Sequence, residues 1–506
     1  MRRAIAGGAV FLVLLAGCSR GDSVHPGLRG TPTIGPLPPA LTPNPPTPAT
    51  PPDAATAVEF SKVSQLINDA IAANKLPGAV VVIGHGGKVA FHQAYGMRKL
   101  AGEPGLDGSP APAEPMTEDT IFDLASLTKS LATATAVMQL YERGKVAVDD
   151  PLQQYLPDFN TGNDSRRAQV TVRMLLTHTS GETGDVNLGD PWGLDRADKD
   201  EGLHRALTTP LESAPGQAFR YSDINYILLG ALIEKATGEA LDVYVQQHVF
   251  EPLGMTDTRY LPPAQACGPH TTLGAAIAWA PAPQRRAPDA CPAGTWSTGL
   301  LPRIAPTARD EEGRADPGKN PDLDRLLRGT VQDTTARRMG GVAGHAGVFS
   351  TAHDVGIFAQ ALLDRLAGRP SEFPLAQTTL ELMTTPQQPG HSPEQLTAAN
   401  AAARAALATR PNRTDPLLAP RYPAIAGQNL RGFGWDIDTG QSAPRGLLFP
   451  IGSFGHTGFT GTSVWLDPRS DTYVVVLSNS IHTRGSPPIS NLRGEIATAT
   501  ARALGL

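Results

Sequence analysis

Along the chain the apolar positions change period several times, and each change predicts an element. Phe60, Val63, Ile67, Ala70 and Ile71 fall on one face at helical spacing, with Pro77 just past the end, which predicts an opening helix. The run Ala79 to Ile83, the pair Gly86-Gly87 and the triplet Val89-Ala90-Phe91 read as a β-hairpin leading to Tyr95-Gly96. A long polar loop follows to Thr120, and residues 126–143 read as a helix stopped by Gly144. The middle of the chain, to about Gly340, reads as helical and loop-rich. It holds a helix over 223–237 closed by Gly238 and a Pro-rich insertion over 261–328. Thr351-Ala352-His353-Asp354 has the form of a capping box opening a helix to Leu366. A second insertion over 386–431, rich in Ala, Pro and Asn, carries little pattern. Strands return over 432–438, 458–467 and 472–477, and a last helix covers 490–504. No fixed-period repeat is present.

This order predicts an α/β fold whose central antiparallel sheet, flanked by helices, takes strands from both ends of the chain. The α/β part would comprise about 56–145 and 341–506, with a helical lobe of about 146–340 inserted between them.

The first residues have a different character. Arg2 and Arg3 precede an apolar stretch, Ala4 to Ala16, too short to span a bilayer and the right length for a signal peptide over 1–17. It ends in Leu15-Ala16-Gly17-Cys18, which looks like a bacterial lipobox, so Cys18 is the expected lipidation site and the membrane an expected partner through that anchor. In the bacterial sorting rule, Ser19 after the cysteine implies the outer membrane, with the protein facing the periplasm. Residues 18–55 lack apolar periodicity and are dense in proline, as expected of an extended tether reaching roughly 100 Å when stretched. The folded domain is expected over 56–506.

Charge excludes one class of function. Lys+Arg of 43 against Asp+Glu of 48 leaves a net charge of −5 over 506 residues, without a basic block to track phosphates, so nucleic acid is not an expected partner. Export also bears on the remaining cysteines, Cys267 and Cys291. A disulfide between them would close a 24-position loop and stabilise it by about 3 kcal/mol. The histidines show neither H-E-x-x-H spacing nor clustered cysteines, so neither a metal nor a cofactor is expected.

Three short pieces carry chemistry. In Ser126-Leu127-Thr128-Lys129 the first and last residues share a helix face, so an amine can reach a hydroxyl beside free N–H groups at a helix start. From Ser130 to Tyr141 no residue is charged, so Lys129 is a lone cation at the head of an apolar helix. Burial there favours its neutral form, able to accept the serine proton. Tyr221 stands immediately before the helix opening at Asp223, and Gly455-His456-Thr457-Gly458 precedes a strand. The glycines permit close approach of a ligand to the backbone.

Together and in this order the pieces resemble the serine β-lactamase and penicillin-binding protein superfamily, in its class C-like branch. The resemblance extends through Phe122-Asp123-Leu124-Ala125, Leu175 to Gly181, Pro215-Gly216, Val249 to Met255 and Gly344 to Thr351, and looks closest to low-molecular-mass D,D-carboxypeptidase-type members. It implies a β-lactamase/transpeptidase-like fold and an acyl-enzyme on Ser126, with Lys129 relaying the proton and Tyr221 as base and then acid. It implies an oxyanion hole from the N–H groups of Ser126 and Phe459, and substrate contacts at Asp223, His456, Thr457 and Gly458. The substrates it implies are peptidoglycan peptides, β-lactams or small esters. Asp223 stands where many relatives have Asn, and an anion there would keep Lys129 charged and shift the proton relay towards Tyr221. His456 replaces a lysine typical of β-lactamases, which leaves a carboxylesterase open. A non-catalytic envelope binding module is the reading from another class. His178 and His345 are read as structural.

Overall fold

The apolar run at the start of the folded chain serves two cores at once. Alternate side chains of a strand point to opposite faces. In the strand Gly78–His85, Val80 and Val82 enter one core and Ala79, Val81 and Ile83 the other. A strand buried on both faces belongs in the middle of a sheet, and it lies there.

The computed structural model describes residues 60–277, 290–312, 314, 316–408 and 422–506. The signal segment, Cys18 and the tether lie outside the described residues, which fall in one compact unit, Pro52–Leu506. In chain order the elements that matter for the site are α1 (Ser61–Ala72), β1 (Gly78–His85), β2 (Lys88–Lys99), β3 (Glu114–Pro115) and β4 (Phe122–Asp123). There follow α2 (Thr135–Glu142), α3 (Asp223–Thr237), β5 (Arg259–Tyr260), β6 (Val348–Ser350) and α4 (Ala352–Leu366). The last are β7 (Leu430–Arg431), β8 (Asp436–Asp438), β9 (Phe454–Thr457), β10 (Ser463–Asp467), β11 (Thr472–Ser478) and α5 (Ser490–Ala503).

Eight strands form one antiparallel sheet in the order β7-β8-β9-β10-β11-β1-β2-β3, so the N-terminal hairpin joins the C-terminal strands along the β1–β11 pair. Helices α1 and α5 cover one face, with Val63, Ile67, Ile496 and Ala497 against Val81, Val474 and Val476. The other face packs on α2, α3 and α4 in a continuous core that also takes in Val146, Leu175, Leu228 and Met339. The stretch between the two halves of the sheet thus shares its core with the sheet. A small second sheet, β4-β6-β5, sits immediately before the Ser126 turn. Cys267, on the short strand Ala266–Cys267, is joined by a disulfide to Cys291, which precedes that strand's parallel partner Trp296–Ser297.

Three elements differ from the sequence reading. The helix expected over 126–143 opens as a π-helical turn, Lys129–Ala134, before α2. The Thr135 hydroxyl takes the Ser130 carbonyl five residues back, and the Ser130 hydroxyl turns to the Gly434 carbonyl, so side chains compete with the ordinary ladder. The segment Phe454–Thr457 is itself a strand; its Gly and His depress β propensity, and only pairing with β10 reveals it. Within the second insertion lies a helix, Pro393–Ala408, of which only Ala399 is buried, so alanine propensity without an apolar stripe made it invisible to periodicity.

Candidate active site

Ser126 sits on a strained turn. Ala125, just before it, has φ 48°, a left-handed conformation that costs a non-glycine residue and aims the next side chain outward. The turn is held from below and from the side. Asp123 accepts the backbone N–H groups of Ala125 and Gln332 at 2.9 and 2.7 Å, and burial raises its carboxyl to about 6 against the pull of those two donors. From the β9–β10 turn, the Thr460 and Thr462 hydroxyls donate to the Asp123 and Leu124 carbonyls at 2.8 and 3.0 Å. Gly458 closes the gap between strand and turn. A Cβ there would lie 2.5 Å from the Leu124 carbonyl oxygen, so no other residue lets the β9 edge come this near. Neither the Ser126 nor the Phe459 N–H donates to a protein acceptor among the described residues, and both residues line one cavity of about 510 Å³. Two free donors beside a hydroxyl suit a developing oxyanion.

Lys129 is fully buried. Its Nζ lies 3.0 Å from Ser126 Oγ, 2.9 Å from the His345 carbonyl and 2.6 Å from Asp223 Oδ1. Burial is the largest single influence on this amine and pushes it down. Asp223, with Tyr221 behind it, outweighs burial, and the ammonium is held above its usual range. Of the two influences read from the sequence, burial favouring the neutral amine and Asp223 favouring the charged one, the carboxylate prevails and keeps it charged.

Tyr221 completes the group. Lys129 Nζ is 5.1 Å from its ring centroid, and the ring stacks on His178 at 4.4 Å between centroids. His178 is locked in turn: its Nδ1 accepts from the Ser222 backbone N–H at 3.1 Å, which leaves the proton on Nε2. Burial and the nearby Arg431 push its pKa well down, so it packs as a neutral plate. His345 has a second partner besides Lys129. Its Nε2 meets Asp333 at 2.8 Å, and that carboxylate, outweighing burial, raises the imidazole while its own pKa is held low.

The structure thus brings Ser126, Lys129, Tyr221 and Asp223 together, with Thr457, Gly458 and Phe459 on the cavity wall. His456 is different. It is 1% exposed, its Nδ1–H donates to the Thr457 carbonyl, and its ring lies 6.1 Å from that of Tyr221. Burial, then Arg431, hold it neutral. It stands behind the tyrosine and does not line the cavity, a correction to its expected role as a substrate contact.

Sequence reasoning missed several residues. Arg493 on α5 lines the cavity, donates to the Gly458 carbonyl at 2.8 Å, and has no carboxylate partner among the described residues; burial lowers it to about 10. Arg431 is fully buried 6.0 Å from the Tyr221 ring. Thr460 and Thr462 could have been suspected from their place after Gly458. Arg493 and Arg431 gave no local signal. Among the described residues no group of three or more His, Cys, Asp or Glu is arranged to hold a metal ion, and no helix is long and apolar enough to cross a membrane.

Fold and site together define a protein of the β-lactamase kind. The Beta-lactamase family profile matches residues 63–493, and the chain belongs to that family. It is similar to a protein of Escherichia coli (strain K12) named putative D-alanyl-D-alanine carboxypeptidase, 28% identical over 429 residues, covering 82% of this chain and 81% of that one. It is likewise similar to the N-acetylmuramyl-L-alanine amidase of Bacillus subtilis (strain 168), 29% identical over 445 residues, covering 86% and 83%. Among solved structures it shares the fold of EstCE1, described as a hydrolase with promiscuous acyltransferase activity, with a TM-score of 0.53, 21% identity, and coverage of 88% of this chain and 99% of that one.

Proposed function

We propose that this protein is an envelope serine hydrolase that works through an acyl-enzyme on Ser126. The reading is carried by one observation: Ser126 Oγ lies 3.0 Å from a buried Lys129 whose Nζ is also 5.1 Å from the Tyr221 ring. Ser126 Oγ attacks a carbonyl carbon, and the oxyanion forms opposite the N–H groups of Ser126 and Phe459. Held as a cation, Lys129 steadies the serine oxygen and the developing charge, and Tyr221, entering the step as a phenolate, takes the hydroxyl proton and becomes a phenol. Tyr221 then returns that proton to the leaving amine as the carbon–nitrogen bond breaks, and water hydrolyses the ester by the reverse route. The mechanism needs no cofactor.

The substrate class is a peptide-type amide, as in D,D-carboxypeptidases and penicillin-binding proteins, with β-lactams as substrates or acylating inhibitors. The names of both relatives point to bonds beside alanine. Arg493 is the cation that a substrate carboxylate would meet in the cavity. Lipidation at Cys18 would hold the domain at the outer membrane, facing the periplasm. A carboxylesterase is the second reading, favoured because the buried, neutral His456 leaves β9 without a charge for an anionic substrate.

Intact-protein mass spectrometry after incubation with a panel of β-lactams, an acylated D-Ala-D-Ala tripeptide and activated short esters tests both readings. Labelling is expected on Ser126 and is expected to vanish in Ser126→Ala. Label or turnover persisting in that variant refutes the mechanism; turnover confined to esters selects the second reading.

A further inference from the structure

The cavity at Ser126 does not end at the oxyanion hole. A neighbouring cavity of about 400 Å³ shares Gln332, Phe459, Ile481 and Ser486 with it, so the two form one trough that bends around the Phe459 side chain. That phenyl ring is 73% exposed, the most exposed large apolar side chain among the described residues, although the backbone beneath it is pinned against the Ser126 turn. A ring held out at the junction of two cavities is a platform without an occupant among the described residues.

The second cavity also holds the apolar side chains of Ala308, Leu327 and Ile481, and much of its charge is already engaged. Asp310 pairs with Arg337 at 2.8 Å, Glu312 with Arg338, and Glu311 with Arg484 at 2.5 Å. What remains around the ring is hydrogen-bonding: the Gln332 amide, the Thr334 and Ser486 hydroxyls, and the Arg309 guanidinium, which donates to the Asp324 carbonyl at 3.0 Å. A ligand matched to this lining has one flat apolar face for the phenyl and neutral hydroxyl or amide groups along its edge. A pyranose ring carrying an N-acetyl group has that form. An extended acyl chain could pack on Leu327 and Ile481 but would leave Gln332, Thr334 and Ser486 without partners, and unpaired polar groups disfavour a ligand.

We propose that this second cavity is a saccharide subsite. The C–H face of an N-acetylhexosamine stacks on Phe459, and the bond attacked by Ser126 is one that joins, or lies close to, a sugar-bearing group. The proposal rests on the Ser126 acyl-enzyme reading for its chemistry but not for its binding, and the test separates the two.

Calorimetric binding to the full chain carrying Ser126→Ala compares an N-acetylmuramyl dipeptide with the same dipeptide capped by acetyl and by hexanoyl. The sugar-bearing ligand is expected to bind about tenfold more tightly than the acetyl form, the scale of one well-packed aromatic contact. Adding Phe459→Ala is expected to erase that advantage, and Phe459→Trp to restore it. Thr483→Trp, at the rim of the second cavity, is expected to erase it by filling the space, which keeps the test open if Phe459→Ala misfolds. A sugar advantage that survives both Phe459→Ala and Thr483→Trp, no advantage at all, or equal gain from hexanoyl overturns the saccharide assignment. Inertness of the unsubstituted chain to every acylating probe, with the sugar advantage intact, refutes the hydrolase reading and leaves the subsite standing.

Discussion

Asp223 is the residue whose removal tests the electrostatics of the site most directly. Its carboxylate lies 2.6 Å from Lys129 Nζ, with side-chain exposures of 23% and 0%. Removing one partner of a buried ion pair costs about 3–5 kcal/mol because the other charge is stranded. The partial exposure of Asp223 reduces this, so Asp223→Asn is expected to destabilise the fold by about 2–3 kcal/mol at pH 7. The pH dependence fixes the sign. An unfolded lysine titrates near 10.4, and folded Lys129 lies above that ordinary range. The stabilisation in the unsubstituted protein is therefore complete below about pH 10.4 and lost as pH rises through the folded value. In Asp223→Asn, burial becomes the dominant influence and the folded value drops below the unfolded one. The variant then gains stability as pH rises between those two values. The deficit should be largest at neutral pH and narrow towards pH 10. Urea denaturation followed by tryptophan fluorescence at pH 7 and pH 9.5 measures both ends. A deficit that does not change with pH, or none at pH 7, would show that the carboxylate does not hold the ammonium.

Thr462→Val removes the hydroxyl that holds the Leu124 carbonyl at 3.0 Å. The loss of about 1 kcal/mol of positioning should appear as a fall in kcat of several-fold on an activated ester with KM nearly unchanged; an unaltered kcat would remove Thr462 from the oxyanion-hole support. Replacing both Cys267 and Cys291 by serine opens a loop with a sequence separation of 24. It should lower stability by about 3 kcal/mol, read as a drop in Tm, and an unchanged Tm would mean that the loop is already constrained without the bond.

Much of the fold was legible because its elements carry strong local periods. The β1–β2 hairpin, α3 with Gly238 at φ 78° closing it, and α4 behind its Thr351 cap lie where the pattern placed them. The capping box is only half realised. Thr351 accepts from the Asp354 N–H, but the Asp354 carboxylate turns instead to the Asp257 N–H and the Thr258 hydroxyl. A local motif names the cap, whereas the carboxylate's partner comes from a distant strand end. The same contrast separates Lys129 from Arg493. Lys129 is three residues from Ser126 on one turn and heads an uncharged run, so local sequence points to it. Arg493 reaches the Gly458 carbonyl from 35 positions away, and no sequence period encodes that contact.

Periodicity and spacing dictated which side chains were available for acyl transfer and, through the order of elements along the chain, that strands from both ends share a sheet. The withdrawal of His456 behind Tyr221 and the exposed ring of Phe459 emerged only once the chain had closed on itself. Those properties depend on burial and on charges from remote segments, and such fields act through space, where neighbours in the chain carry no information about them.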